Sequence, residues 1–305
     1  MKSADDFVLH FAKRSMSTPD VQSLYDALIF DITKAFALPQ SRGGHRIVEA
    51  LFGKAARRVA DLGVGLDRVV GEGGLPAGAR WLLPNFVKSH SARGAQTIPA
   101  EGPLVIVSNH PAGVDSFVIS SYVARPDYKA IIDDIPFFER LPHLRERIII
   151  APVEDAPNAR IRTVRESLRH LKSGGSLLLF ARGGIEADPD FMPNPDGEFE
   201  HWSRSLEIFL NHVPETRVVI TIVSGVIARA SMNNPLTRLR KSRVDRQRIA
   251  FLTQLARQVL SGKEIFGLTP RVTFGEIIEG AQQHILDQVH DAARRVLRQH
   301  MEWQA

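Results

Sequence analysis

Short apolar runs that alternate with helical patterns constrain the fold of this chain more than any other feature. Several of the runs are continuously apolar, which is typical of strands buried on both faces of a sheet. The runs lie at 104–107, 129–132, 147–153, 176–180, 217–223 and 271–274. Helical patterns lie between and after them, at about 115–124, 157–172, 199–212, 246–261 and 280–303. This alternation predicts an α/β fold with a mostly parallel central sheet flanked by helices.

The N-terminal part of the chain has a different pattern. Two amphipathic helices are predicted, at 18–38 and about 45–70, and the first has Pro19 in its opening turn. The segment GEGGLPAG at 71–78 is the strongest helix-breaking cluster in the chain. We therefore predict an N-terminal helical region over 1–78, followed by an α/β domain over 79–305.

The amino-acid composition excludes several classes of function for this protein. The 305 residues include no cysteine, which excludes disulfides, thiol nucleophiles and cysteine-based zinc sites. No apolar run approaches the roughly 18 residues of a membrane span, and the acidic first residues do not fit a secretory signal. We expect a cytoplasmic protein, either free or bound peripherally to the inner face of the membrane.

The formal net charge of +5 favours acidic partners, such as an anionic lipid surface, a phosphorylated substrate or an acidic carrier protein. A basic run at 235–248 has no interleaved aromatic residues and matches no nucleic-acid-binding motif, so nucleic acid is a disfavoured partner. The run is either a solvated helix face or a docking site for lipid headgroups or a carrier protein. The sequence also contains no Walker loop, Gly-x-Ser-x-Gly elbow or zincin motif, which disfavours nucleotide hydrolysis and serine esterase chemistry.

The segment VIVSNHPAGVDSF at 105–117 carries the first candidate site. His110 follows a predicted strand, and Gly113 permits a tight turn that brings Asp115 back beside the imidazole. A carboxylate on one ring nitrogen fixes the tautomer, so that the other nitrogen takes a proton from a hydroxyl. The alternative is a loop histidine followed by an ordinary helix cap.

The segment LLLFARGGIEAD carries the second candidate, Arg182-Gly183-Gly184, where another predicted strand ends. A glycine turn exposes backbone N–H groups to an anion, and the guanidinium adds a charged, planar donor. The alternative is a glycine-rich strand exit with a solvated arginine. In a parallel sheet both candidates lie at the carboxyl edge, so we expect them to face one pocket.

These two segments resemble motifs of the glycerolipid acyltransferases, which include the glycerol-3-phosphate and lysophosphatidate acyltransferases. His110-x-x-x-x-Asp115 is similar to the first motif of that family. SGGSLLLFARGG is similar to the third, usually written Phe-Pro-Glu-Gly-Thr-Arg, and RVVITIVSGVI lies where the family has its fourth. The order and separation of the motifs also agree, and the resemblance covers roughly residues 80–300.

The chain departs from the family where an acceptor phosphate is normally held. Pro152-Val153-Glu154-Asp155 stands where the second motif usually ends in arginine, and Ile185 occupies the arginine position of the third. Thr221 lies near the position of the fourth-motif proline. Either Arg182 contacts the phosphate from a shifted position, or the acceptor has no phosphate.

The resemblance implies an O-acyltransferase of lipid metabolism, in phospholipid synthesis. It would move a fatty acyl group from acyl-CoA or acyl-carrier protein, its co-substrate, to a hydroxyl of a (lyso)glycerolipid or related acceptor, without a metal or further cofactor. His110 would be the general base and Asp115 its orienting acid, while Arg182, Gly183, Gly184 and Asn109 would bind substrate. Peripheral contact with an anionic membrane is expected. Two alternatives are a non-catalytic lipid- or acyl-carrier-binding protein on the same scaffold and a thioesterase-like hydrolase.

Overall fold

The computed structural model describes residues 19–35, 41–151, 157–202, 205–280 and 284–303. Within these ranges one seven-stranded sheet has the order β1-β7-β6-β2-β5-β3-β4. The strands are β1 Ser91–Arg93, β2 Leu104–Ser108, β3 Lys129–Asp133, β4 Ile148–Ala151, β5 Ser176–Phe180, β6 Arg217–Ser224 and β7 Arg271–Glu279. All six predicted strands are present; β1 was not predicted, because Ser-Ala-Arg has no apolar pattern.

The sheet is mostly parallel, as predicted. Strands β2 to β6 run in one direction, while β7 is antiparallel to β6 and β1 is parallel to β7. Every residue of β2 is buried, and its last residue, Ser108, is paired with Phe180 of β5 and Thr221 of β6. The carboxyl ends of these three strands therefore meet at one edge, where a ligand site is expected.

Helices cover both faces of the sheet. They are α1 Val21–Ala35, α2 Arg42–Leu82, α3 Asp115–Ser120, α4 Pro136–Glu139, α5 Pro142–Arg145, α6 Pro157–Lys172, α7 Ser205–His212, α8 Arg229–Met232, α9 Pro235–Arg238, α10 Arg243–Ser261 and α11 Ile285–Met301. Short 3-10 helices lie at Leu83–Asn85, Ala95–Thr97 and Pro195–His201. Helix α10 begins earlier than predicted because the Ser242 hydroxyl caps it by accepting a hydrogen bond from the Asp245 N–H.

Alternate residues of β2 point into two separate cores, as the two-residue period of a strand requires. Leu104 and Ile106 belong to a core shared with α2, α3 and α10. Val105 and Val107 belong to a second core, formed with α7 and α11. The sheet is thus the middle layer of a three-layer α/β arrangement.

The N-terminal helices pack on the sheet and share its first core. Helix α2 spans Arg42–Leu82, but its backbone leaves helical geometry at Gly74, where φ is 75° and ψ is 179°. Leu75 and Leu82 are buried in the same cluster as Leu104. The glycine cluster therefore interrupts the helix where a break was predicted, and the chain returns to helical geometry up to Leu82. No helix in the described ranges has an apolar stretch long enough to cross a membrane.

Candidate active site

His110 lies two residues beyond β2, and a turn through Pro111, Ala112 and Gly113 returns the chain to the imidazole. Its Nδ1 lies 3.0 Å from Oδ2 and 3.1 Å from Oδ1 of Asp115. The His110 side chain is 22% exposed, whereas that of Asp115 is fully buried. Because Nδ1 of His110 is hydrogen-bonded to Asp115, Nε2 is the ring nitrogen that can contact a substrate.

The Asp115 carboxylate is fixed by two backbone donors as well. The Ala112 N–H donates to Oδ2 over 2.8 Å and the Ser116 N–H to Oδ1 over 2.7 Å. Asp115 is the first residue of α3, so it also places a negative charge at the start of that helix. The carboxylate therefore orients His110 and supports the helix start at the same time, which unites the two interpretations of the sequence.

Two further contacts set the position and basicity of His110. Its ring stacks on Phe180, the last residue of β5, with centroids 4.2 Å apart. Burial alone lowers the pKa of His110, but the charge and hydrogen bond of Asp115, with smaller contributions from Glu186 and Asp133, outweigh it and raise the pKa above 6.5. The imidazolium form of His110 is thus stabilised by its carboxylate neighbours.

Glu186 is a buried carboxyl that the motif-based predictions missed. Its Oε2 accepts a hydrogen bond from the His110 N–H over 2.8 Å, and its Oε1 accepts one from the Trp202 indole over 2.8 Å. Its own N–H donates to the His110 carbonyl over 2.8 Å. Burial raises the pKa of the Glu186 carboxyl to about 7, against these hydrogen bonds, which lower it. The sequence signal that could have identified Glu186 is an acidic residue two positions after Gly184.

Asp188 was missed as well, and it supports the neighbouring strand. It is fully buried and accepts hydrogen bonds from the N–H groups of Gly225, Val226 and Ile227, over 2.9, 3.1 and 3.3 Å. Burial raises the pKa of its carboxyl to about 6. Asp188 thereby ties the loop after β5 to the end of β6.

Asn109, which was predicted to bind substrate, is buried, and its amide pairs with the backbone of β6. Its Nδ2 donates to the Val223 carbonyl over 2.9 Å, and its Oδ1 accepts from the Val223 N–H over 2.8 Å. The side chain is buried and extends the pairing between β2 and β6. One N–H of the amide and its oxygen are thus used in pairing with Val223.

The Arg182-Gly183-Gly184 turn lies beside Phe180, as expected, but its groups are partly engaged. Arg182 Nη1 lies 2.6 Å from Glu198 Oε2 and donates to the Ile185 carbonyl over 2.9 Å. The Gly183 N–H donates to the Phe180 carbonyl over 3.0 Å, so it closes the turn and is not left for an anion. A Cβ placed on Gly183 or Gly184 would meet nothing within 4 Å, so the turn faces open space.

Helix α10 packs against the His110 turn. Gln247 Nε2 donates to the carbonyls of Pro111 over 2.7 Å and Glu186 over 2.6 Å. The Phe251 ring packs so closely on Gly113 that a Cβ there would lie 2.9 Å from it. A side chain at 113 would therefore require the Phe251 ring to shift.

Residues 90–224, which include His110, Asp115, Arg182 and Glu186, match the family model described as Acyltransferase. This part of the chain is therefore similar to the acyltransferases. The match confirms the resemblance drawn from the His110 and Arg182 motifs.

The whole chain is similar to the crystal structure of PlsC, the 1-acyl-sn-glycerophosphate (LPA) acyltransferase from Thermotoga maritima. That similarity has a TM-score of 0.45 and 14% sequence identity, and it covers 92% of this chain and 90% of the other. The search of curated protein sequences gave no significant match.

Proposed function

We propose that this acyltransferase moves a fatty acyl group from the thioester of acyl-CoA or acyl-carrier protein to a hydroxyl of a (lyso)glycerolipid or related acceptor. One observation carries the proposal: His110 Nδ1 lies 3.0 Å from the buried Asp115 carboxylate, at the carboxyl end of a central strand of the matched region. A dyad so placed activates a hydroxyl group.

In the proposed reaction, the acceptor hydroxyl donates its proton to His110 Nε2 while its oxygen attacks the thioester carbonyl carbon. Asp115 stabilises the resulting imidazolium through Nδ1. The carbon–sulfur bond then breaks, and the leaving thiolate recovers the proton from Nε2. The products are the ester and the free thiol, and no acyl-enzyme forms.

Arg182 and the Gly184 N–H are proposed to bind an anionic group of one substrate. The open space in front of the glycine turn supports this assignment.

Contact with an anionic membrane is proposed for the segment between α9 and α10, where Leu239 is 78% exposed and is flanked by Arg238, Arg240 and Lys241. An apolar side chain among cations suits the lipid interface.

The test is to mix purified protein with an acyl-CoA, with and without lysophosphatidate, and to measure thiol release and lipid products by mass spectrometry. The proposal predicts thiol release that depends on the acceptor and a new ester. Thiol release without acceptor, accompanied by free fatty acid, would instead indicate a hydrolase. Absence of release with either acyl-CoA or acyl-carrier protein would indicate a binding protein.

His110→Ala is the matched variant for this assay. Loss of a general base typically costs about 10²–10⁴ in rate, and the partly exposed imidazole contributes little to the core. We expect turnover to fall by that factor with a nearly unchanged unfolding midpoint. Wild-type turnover in a folded His110→Ala protein would rule out this mechanism.

A further inference from the structure

Glu198 lies between two guanidinium groups at the edge of the candidate active site. Its Oε2 lies 2.6 Å from Arg182 Nη1, and its Oε1 forms an ion pair with Arg243 Nη2. All three side chains are partly accessible, with exposed fractions of 26% for Arg182, 30% for Arg243 and 13% for Glu198. One carboxylate thus joins the loop after β5 to the start of α10.

This cluster is connected directly to the groups that hold His110. Arg243 Nη1 donates to Gln247 Oε1 over 2.7 Å, and Gln247 in turn donates to the carbonyls of Pro111 and Glu186. On the other side, Arg182 follows Phe180 by two residues, and Phe180 is the ring that stacks on His110. A ligand held by the two arginines would therefore contact the same loop and helix that position His110.

The cluster has more positive charge than Glu198 neutralises. Two guanidinium groups and one carboxylate leave a net charge of +1. Arg246 follows Arg243 by three residues on the same helix and so neighbours it. This excess of positive charge favours an anion from solution.

We infer that Arg182 and Arg243 form a binding pair for a substrate phosphate, and that Glu198 occupies this pair in the free protein until the phosphate displaces it. A phosphate fits two guanidinium groups with the same paired N–H···O geometry as a carboxylate, and it carries more charge. Arg243 lies outside the matched residues 90–224, so the second arm of the pair comes from α10. The inference rests on the proposed function only for the identity of the ligand, which is the phosphate of the acceptor or of a CoA donor.

Isothermal titration calorimetry on the full chain tests the pair without turnover. The probes are inorganic phosphate, glycerol 3-phosphate and CoA, at about 0.15 M salt, where charges more than about 8 Å apart are largely screened. Arg243→Gln should weaken binding about tenfold or more, and Glu198→Gln should tighten it about tenfold, because a competing charge is removed. A preference for glycerol 3-phosphate over inorganic phosphate assigns the pair to the acceptor, and a preference for CoA assigns it to the donor.

Two matched controls separate a local site from the general field of the protein. Arg248→Gln removes a charge from an exposed position of the same helix, and Glu200→Gln does so in the same 3-10 helix as Glu198. Both should bind the probes within about twofold of wild type. Equal losses in Arg248→Gln and Arg243→Gln, or unchanged or weaker binding in Glu198→Gln, would overturn the inference.

The folding of each variant and its acyl-transfer activity are measured in separate experiments. Thermal unfolding shows whether each variant is folded, and if Arg243→Gln is not, the sign of the Glu198→Gln effect decides alone. If the variants bind the probes as expected but no thioester is ever consumed, the proposed acyl transfer is wrong and the phosphate-binding pair is supported. If acyl transfer occurs but the variants do not bind the probes as expected, the phosphate-binding pair is wrong and the proposed function is supported.

Discussion

Replacement of Glu186 by glutamine should remove a large part of the pH dependence of folding stability. Glu186 is 1% exposed, and both of its oxygens accept hydrogen bonds, from the His110 N–H and the Trp202 indole. Glutamine has nearly the same shape and no charge. It keeps one of the two acceptors, so a constant loss of about 1–3 kcal/mol is expected at every pH.

The pH-dependent part follows from the pKa of the carboxyl. Burial raises the pKa of Glu186 from an ordinary 4.5 to about 7, so between these values the folded protein binds one more proton than the unfolded chain. Stability therefore falls as pH rises through this window. With about 1.4 kcal/mol per pH unit, the total loss is about 3 kcal/mol, most of it between pH 5 and pH 8.

Urea unfolding at several pH values from 5 to 8 measures this effect. The difference in free energy of unfolding between wild type and Glu186→Gln should shrink by about 2–3 kcal/mol across the series. Subtracting the variant cancels the other groups that titrate in this range, such as Asp188, whose pKa burial raises to about 6.

A constant difference across the series would show that Glu186 titrates at its ordinary pKa, and the argument from burial would then be wrong. A growing difference would mean that the carboxylate is the form that the fold prefers. Trp202 fluorescence, read in the same samples, should change with pH in the folded wild type and not in Glu186→Gln, because its indole donates to this carboxyl.

The remaining predictions concern the His110 and Arg182 motifs. Asp115→Asn should lower kcat about 10- to 150-fold, because the imidazolium loses a charged hydrogen-bond partner worth about 1.5–3 kcal/mol; unchanged kcat in steady-state assays would mean that Asp115 only supports α3. Arg182→Ala should raise KM for an anionic acceptor while sparing a neutral analogue, since a contact present in both ground and transition states acts on saturation. Equal losses for charged and neutral acceptors would identify Arg182 as structural.

The sequence by itself determined the parts of this protein that depend on near neighbours. The apolar runs specified all six long strands, because a strand buried on both faces must be apolar along its length. The His110–Asp115 pair was also readable, since five residues and a turn with Gly113 suffice to bring the two side chains together.

Only the tertiary structure decided which distant polar groups meet. Glu186 and His110 are separated by 76 positions in the chain, and Gln247 and Pro111 by 136. The same holds for Asn109, whose amide pairs with Val223 of a neighbouring strand. No local pattern contains such pairs, because a buried polar side chain takes its partner from whichever element the fold places beside it.

The region of Gly74 and the Arg182 ion pair show the same division. Local preference predicted a break in the helix near Gly74, and the backbone is non-helical there. The return to a helix that buries Leu75 and Leu82 against the sheet depends on packing. Arg182 was predicted to bind an anion, and the fold supplies one in Glu198. Propensity acts within a few residues, whereas packing and ion pairing depend on elements that are distant in the chain.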